Sequence, residues 1–241
     1  MSSEPAAPFS LVQRPALLVA RFARAQHMLS WSLNRPGFTA ASEVAFVEVR
    51  GRDLPADVCP HDLLARRLAD GDVPDAVGLM TSRDIRCHHV AVRAVEEVSA
   101  ACLVTAGLNN GERVGARVAL PWLDLPDTDP PDAKLPGHAL GTVNILAAAS
   151  HPLSEGALLE ALSIVTQART LAILEAGYVR EGAEGPVTGT GTDCIVVSAP
   201  QEGAPLAYAG LHTAMGEALG AAVLAASRAA TAEWVAQRAR G

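Results

Sequence analysis

A chain of 241 residues with 49% hydrophobic and only 4% aromatic residues can build a sizeable core, and must pack it with Ala, Val and Leu rather than with rings. Its net charge of -7, with no cluster of Lys and Arg interleaved with aromatics, excludes the electrostatic footprint of a nucleic-acid binder. Arg14, Arg21 and Arg24 break the first apolar stretch and Arg228 breaks the Ala-rich region after Glu217, so neither a signal peptide nor a membrane span is expected.

The reading is one cytoplasmic domain over residues 1–241, with residues 1–12 flexible. Cys59, Cys87, Cys102 and Cys194 are widely spaced and form no C-x-x-C pair, which fits reduced thiols and gives no zinc-ribbon spacing. Residues 17–24 read as an opening strand. Pro36-Gly37 then marks a bend just after Asn34, and residues 44–50 read as a second strand. A helix is expected over residues 60–70, with Pro60 at its start, Leu64 and Leu68 on one face and Gly71 at its C-terminal cap. Residues 75–81 read as a strand that ends in the polar loop Thr81-Ser82-Arg83-Asp84. The run at 85–93 carries His88 and His89, which strand alternation sends to opposite faces, so they make a poor pair of metal ligands.

Residues 98–107 form the clearest central strand, continuously apolar with Thr105 near its end. It leads into Asn109-Asn110-Gly111, a turn signal whose amides can equally serve a ligand at a strand end. Residues 121–138, rich in Pro and Asp, have no periodicity and are expected to form a long loop that is either a semi-rigid flap or a surface insertion with no role. Strand character returns at 140–148, where Thr142, Asn144 and Leu146 share a face. Ser154 caps a helix from Glu155 to just before Gly177, with Arg169 in line with its apolar stripe. Residues 193–198 and 206–209 read as a hairpin. A closing helix over 213–239 places Gly216 and Gly220 one turn apart, where it can press against another backbone. These elements fit an α+β or mixed α/β fold, a mixed sheet covered by helices, better than a doubly wound parallel sheet.

The stretch Thr188-Gly189-Thr190-Gly191-Thr192-Asp193 stands out, because two glycines permit close approach of another group and a buried strand follows at once. It is not a common nucleotide cradle: Cys194 occupies the last position of G-x-G-x-x-G, and no Gly-Lys-Ser/Thr occurs. The loop reads either as a binding loop or as a tight bend whose threonines serve as turn hydroxyls.

Seven blocks in order resemble the adenosylcobinamide amidohydrolase (CbiZ) family over residues 27–225. They are Leu29-Ser30-Trp31, Val77-Gly78-Leu79-Met80-Thr81-Ser82, Thr105-Ala106-Gly107-Leu108-Asn109-Asn110, Gly141-Thr142-Val143-Asn144-Ile145, Ala168-Arg169-Thr170, the Gly/Thr loop through Asp193, and Tyr208-Ala209-Gly210. The resemblance implies hydrolysis of the amide joining aminopropanol to the corrin ring of adenosylcobinamide, with the corrinoid as substrate and no further cofactor. In many members the first block runs on into Asn-Gly-Gly, whereas here it reads Asn34-Arg35-Pro36-Gly37, which leaves room for a different substrate.

Amide hydrolysis needs an activated nucleophile, donors for the oxyanion and an acid for the leaving amine. The expected base is Asp193, with Asp84 or His89 as the alternative. Asn34, Ser82, Asn109, Asn110, Asn144, Arg169, Thr190 and Thr192 are the expected substrate-binding set, and no metal site is expected. A covalent route through Thr190 or Thr192 competes, as does a module that holds a corrinoid or another amide-rich small molecule without turning it over. The expected partner is a small molecule, with a homo-oligomer left open.

Overall fold

The computed structural model describes residues 6–55, 57–116, 118 and 142–240. The expected flap at 121–138 therefore lies outside the described residues. In chain order the elements are β1 (Phe9–Arg14), β2 (Leu17–Ser30), β3 (Gly37–Glu48), α1 (Pro60–Asp70), β4 (Val77–Thr81), β5 (His88–Val95), β6 (Val98–Ala106), β7 (Gly111–Glu112), β8 (Val143–Ala149), α2 (Glu155–Glu175), β9 (Gly189–Thr190), β10 (Cys194–Pro200) and α3 (Ala214–Arg238).

The main sheet runs β4-β3-β2-β10-β8-β6-β5, with β1 added beside β2. β8 pairs parallel with β10 and β3 parallel with β4, while the other pairings are antiparallel, so the sheet is mixed as expected. β1 overturns the expected flexibility of residues 9–12: each of its six residues pairs with β2 between Leu17 and Phe22. Phe9 also packs its ring edge against Phe22. A register shift between Arg21 and Gln26 bends the long β2–β3 ribbon. Beyond the bend, residues 26–30 of β2 pair with β10 instead of β1.

The bent sheet folds over itself, and alternation along its strands sorts the apolar residues into three clusters. Ala101, Leu103, Leu146 and Val196 meet Leu18, Val44, Phe46 and Leu79 between the two halves of the sheet. Cys102, Val104, Ile145 and Val197 point the other way, onto α2 and α3. On the far outside, Leu63, Leu64 and Leu68 of α1 cover Val19, Ala45 and Val47. The layers are thus helix, sheet, sheet, helix, and burying each Leu, Ile or Phe side chain contributes roughly 1.5–3 kcal/mol.

The helix ends follow the capping chemistry in the sequence. Ser154 Oγ accepts from Ala157 N at 3.1 Å and Thr213 Oγ1 accepts from Gly216 N at 3.0 Å. Gly216 presses on backbone as its spacing suggested: a Cβ there would overlap Gly210 O and sit 2.6 Å from Ala209 O. The expected second strand at 206–209 does not form. Leu206 instead bridges to Leu153, its N–H donating to Pro152 O at 2.8 Å, which ties the segment to the start of α2. Residues 85–87 form a 3₁₀ turn before β5, and His88 and His89 then face opposite sides, as alternation requires.

Candidate active site

The bend of the sheet brings the end of β2, the end of β4, the entry to β8 and the entry to β10 to one edge of the sandwich. They enclose a cavity of about 500 Å³. Its lining is apolar at Trp31, Leu33, Leu54, Pro60 and Met80 and also includes Thr81, Ser82, Thr142, Thr192, Asp193 and Cys194. Burial pushes the Cys194 thiol up to about 12, so it stays protonated at neutral pH. Among the described residues Asp193 is the one carboxylate in this lining.

Asp193 closes the Gly/Thr loop on itself. Its Oδ1 accepts from Thr190 N at 3.0 Å, from Val143 N at 3.2 Å and from the Thr190 hydroxyl. Its Oδ2 forms an ion pair with Arg169 Nη1 of α2, both side chains being about nine-tenths buried. Gly189 makes this pair possible, because a Cβ there would overlap Arg169 Nη1 and sit 2.6 Å from Asp193 Oδ2. Burial draws the Arg169 guanidinium down to about 10, which still leaves it cationic at neutral pH. The loop is pinned twice more: Trp31 Nε1 donates to Asp193 O at 2.7 Å, and Thr142 Oγ1 donates to Thr192 O at 2.8 Å.

A second cavity of about 390 Å³ lies against the same loop, lined by Arg113, Thr166, Arg169, Thr188 and Thr190 among others, and Gly191 and Asp193 line both. Thr190 therefore belongs to this second cavity and Thr192 to the first. Beneath the first cavity floor, Asn144 is fully buried between Thr105 and Cys194 in the sheet. Its Nδ2 donates to Met80 O at 2.6 Å, which staples β8 to the facing β4, and its Oδ1 is buried without a hydrogen-bond partner.

Several expected site residues stand elsewhere. Asp84 caps the 3₁₀ turn and chelates Arg86 at 2.5–3.0 Å, away from the cavity lining; the Arg86 hydrogen bonds hold its carboxyl down at about 2. His89 faces α3, where its Nε2 meets Glu233 Oε2 at 2.7 Å. Neither joins Asp193, so neither is its alternate in this cavity. Asn34 is a staple: its Nδ2 donates to Ala76 O at 2.8 Å and its Oδ1 accepts from Gly78 N at 2.9 Å, so it mimics a strand partner. Asn109 accepts from Arg238 at 3.1 Å, and Asn110 holds Thr192 Oγ1 at 3.4 Å and Gly191 N through its carbonyl at 3.2 Å. Asn110 thus supports the loop from behind the cavity lining. The Arg35-Pro36 departure also lies outside that lining, with Arg35 turned to Asp75 Oδ1 at 3.1 Å and Ala40 O at 3.2 Å.

Residues 5–239 match the family model described as CbiZ, adenosylcobinamide amidohydrolase. The chain belongs to this family. Four of its seven resemblance blocks, scattered between residues 29 and 193, supply lining to the one cavity. A curated relative, the uncharacterized protein MJ1613 of Methanocaldococcus jannaschii, is 39% identical over 94 residues, which is 38% of this chain and 36% of its own length. Among solved structures, the PH0078 protein of Pyrococcus horikoshii OT3 aligns with a TM-score of 0.43 and 11% identity over 98% of this chain and 81% of its own. The L-aminopeptidase D-Ala-esterase/amidase of Ochrobactrum anthropi aligns with a TM-score of 0.42 and 11% identity over 95% and 83%.

Sequence reasoning singled out Ser82, Thr192 and Asp193, which the fold brings together, and did not name Trp31 or Cys194 as lining. Trp31 lies inside a quoted block, and a Trp directly after the run His27-Met28-Leu29-Ser30 was the available signal. Among the described residues no group of three or more His, Cys, Asp or Glu is placed to hold a metal ion.

Proposed function

We propose that this protein hydrolyses the amide joining aminopropanol to the corrin ring of adenosylcobinamide, releasing adenosylcobyric acid. The observation that carries this reading is the cavity itself: family blocks far apart in sequence line one site that combines apolar side chains with hydroxyls. A corrinoid has an extended apolar ring fringed by amides. Trp31, Leu33, Leu54 and Met80 offer the ring a surface, while Thr81, Ser82, Thr142 and Thr192 offer donors and acceptors to the amides.

In the reaction one water is consumed: its oxygen bonds to the carbonyl carbon, the C–N bond breaks, and the amine leaves with a proton. Hydroxyls of Ser82 and Thr192 hold the carbonyl oxygen as charge develops on it. Asp193 acts as a positioning residue in this reading. Three donors on Oδ1 and the Arg169 cation beside Oδ2 already occupy both oxygens, which makes it an anchor for the loop.

The test is a chromatographic product assay on adenosylcobinamide beside a panel of simpler amides. Adenosylcobyric acid and aminopropanol are expected in equal amounts, and Thr192→Val or Ser82→Ala should lower kcat about 10²-fold, as for the loss of one oxyanion donor. Recovery of unchanged corrinoid after long incubation with stoichiometric protein would make it a binding module, and turnover only of another amide would redirect the substrate.

A further inference from the structure

Solvent-facing helix surfaces are normally charged, yet the outer side of α2 is not. Leu159, Ser163, Gln167, Leu171 and Leu174 face solvent along it, with the three leucines 54%, 46% and 38% exposed and no charge among the five. The helix has a mean hydropathy of 1.4 over a window only 44% buried. Beside it, α3 carries the exposed Glu217 and Arg228 with the half-buried Ala221 and Ala225 between them, small residues between two charges. The helices lie side by side and parallel: Ile164 abuts Gly220, Glu175 pairs with Arg228 at 2.6 and 2.7 Å, and Tyr178 stacks edge-on with Trp234.

We propose that this face is a two-fold interface with a second copy of this chain. The leucine ridge of α2 from one copy packs on the same ridge of the other, the alanine-lined strip of α3 meets its own counterpart, and the contact is self-complementary across the axis, so it closes at two. Charge sets the orientation. The start of the helix pair carries Glu155, Glu160 and Glu217, whereas at the far end Arg228 and Glu175 neutralise each other. An antiparallel second copy keeps the two acidic ends apart, where a parallel one would stack them, and it also opposes two aligned helix dipoles with two reversed ones. The area suffices: α2 is about 31 Å long, and two helices about 10 Å apart present roughly 600 Å² per copy, or about 1,200 Å² in total, within the range of specific interfaces.

Sedimentation velocity of the full chain at micromolar concentration should give a dimer. Leu171→Glu should give a folded monomer by circular dichroism, while Val90→Glu on the exposed edge strand β5 should leave the dimer intact. Gln167→Cys, near the middle of the face, should form an inter-copy disulfide on mild oxidation, which reads the contact even if Leu171→Glu fails to fold. A monomeric parent protein, dissociation by Val90→Glu, or no Gln167→Cys cross-link overturns the proposal. So does a monomer that sediments with neutral phosphatidylcholine vesicles through Leu171, which would make the face a membrane contact.

Discussion

Two carboxylate–arginine pairs in this molecule use the same groups to opposite ends. Asp84 and Arg86 are two residues apart on a surface turn, and three-quarters of the Arg86 side chain is open to water. Asp193 and Arg169 come from a loop and a helix 24 residues apart in sequence and are nearly closed off from water. In the first pair solvent already solvates both ions, so the contact fixes a turn and little else. In the second, each ion has given up its hydration to the other, and the loop between the two cavities depends on their staying together.

The largest effect should come from unpairing the buried ions. Asp193→Ala is expected to cost about 3–5 kcal/mol by stranding Arg169, lowering the melting temperature by roughly 10 °C and abolishing turnover. Arg169→Met should do nearly the same, and the double variant Asp193→Leu/Arg169→Met should be more stable than either single one while remaining inactive. Additive single effects in that cycle would show that the pair is no keystone.

A smaller effect is expected at Gly189→Ala. This residue does not need left-handed backbone; the added methyl simply occupies the space of the ion pair, and overpacking of this kind costs about 1–3 kcal/mol. Urea unfolding with an unchanged midpoint would place Arg169 elsewhere. Smallest of all is Asp84→Asn, which should leave turnover at neutral pH untouched. Because the folded value of Asp84 lies near 2, below its ordinary 3.8, the stability it contributes is present above about pH 4 and fades as pH falls toward 2. Parent and Asp84→Asn should therefore differ in the slope of stability against pH only in that acid window; a difference in slope at pH 6–8 would contradict the assignment.

Much of the fold was legible because its signals are local. Pro60 and Gly71 bracket α1, Ser154 and Thr213 cap α2 and α3, and β4 and β6 lie where apolar runs meet polar loops. The hairpin at 206–209 failed because Leu206 satisfies its backbone on Pro152 and Ser154, 54 and 52 residues back, and β1 was missed because its pairing depends on β2. Site residues suffered the same way. Asn34, Asn109 and Asn110 offer the right amides, but their partners Ala76, Arg238 and Thr192 lie 42, 129 and 82 residues away, and no local pattern announces that they are taken. Ser82, Thr192 and Asp193 were found because they lie in blocks that the bent sheet gathers at one edge.

The unequal burial of the four thiols provides a handle on the cavity. Cys59 is exposed, Cys102 is sealed in the sheet, and burial holds the protons on Cys87 and Cys194. A maleimide dye at neutral pH should therefore react first at Cys59, since only thiolate attacks and this sulfur is the most open of the four, with Cys87 and Cys194 half-buried. Cys59 adjoins Pro60, which lines the cavity, so the dye would sit at the rim of the site, where its emission reports filling without any engineered residue.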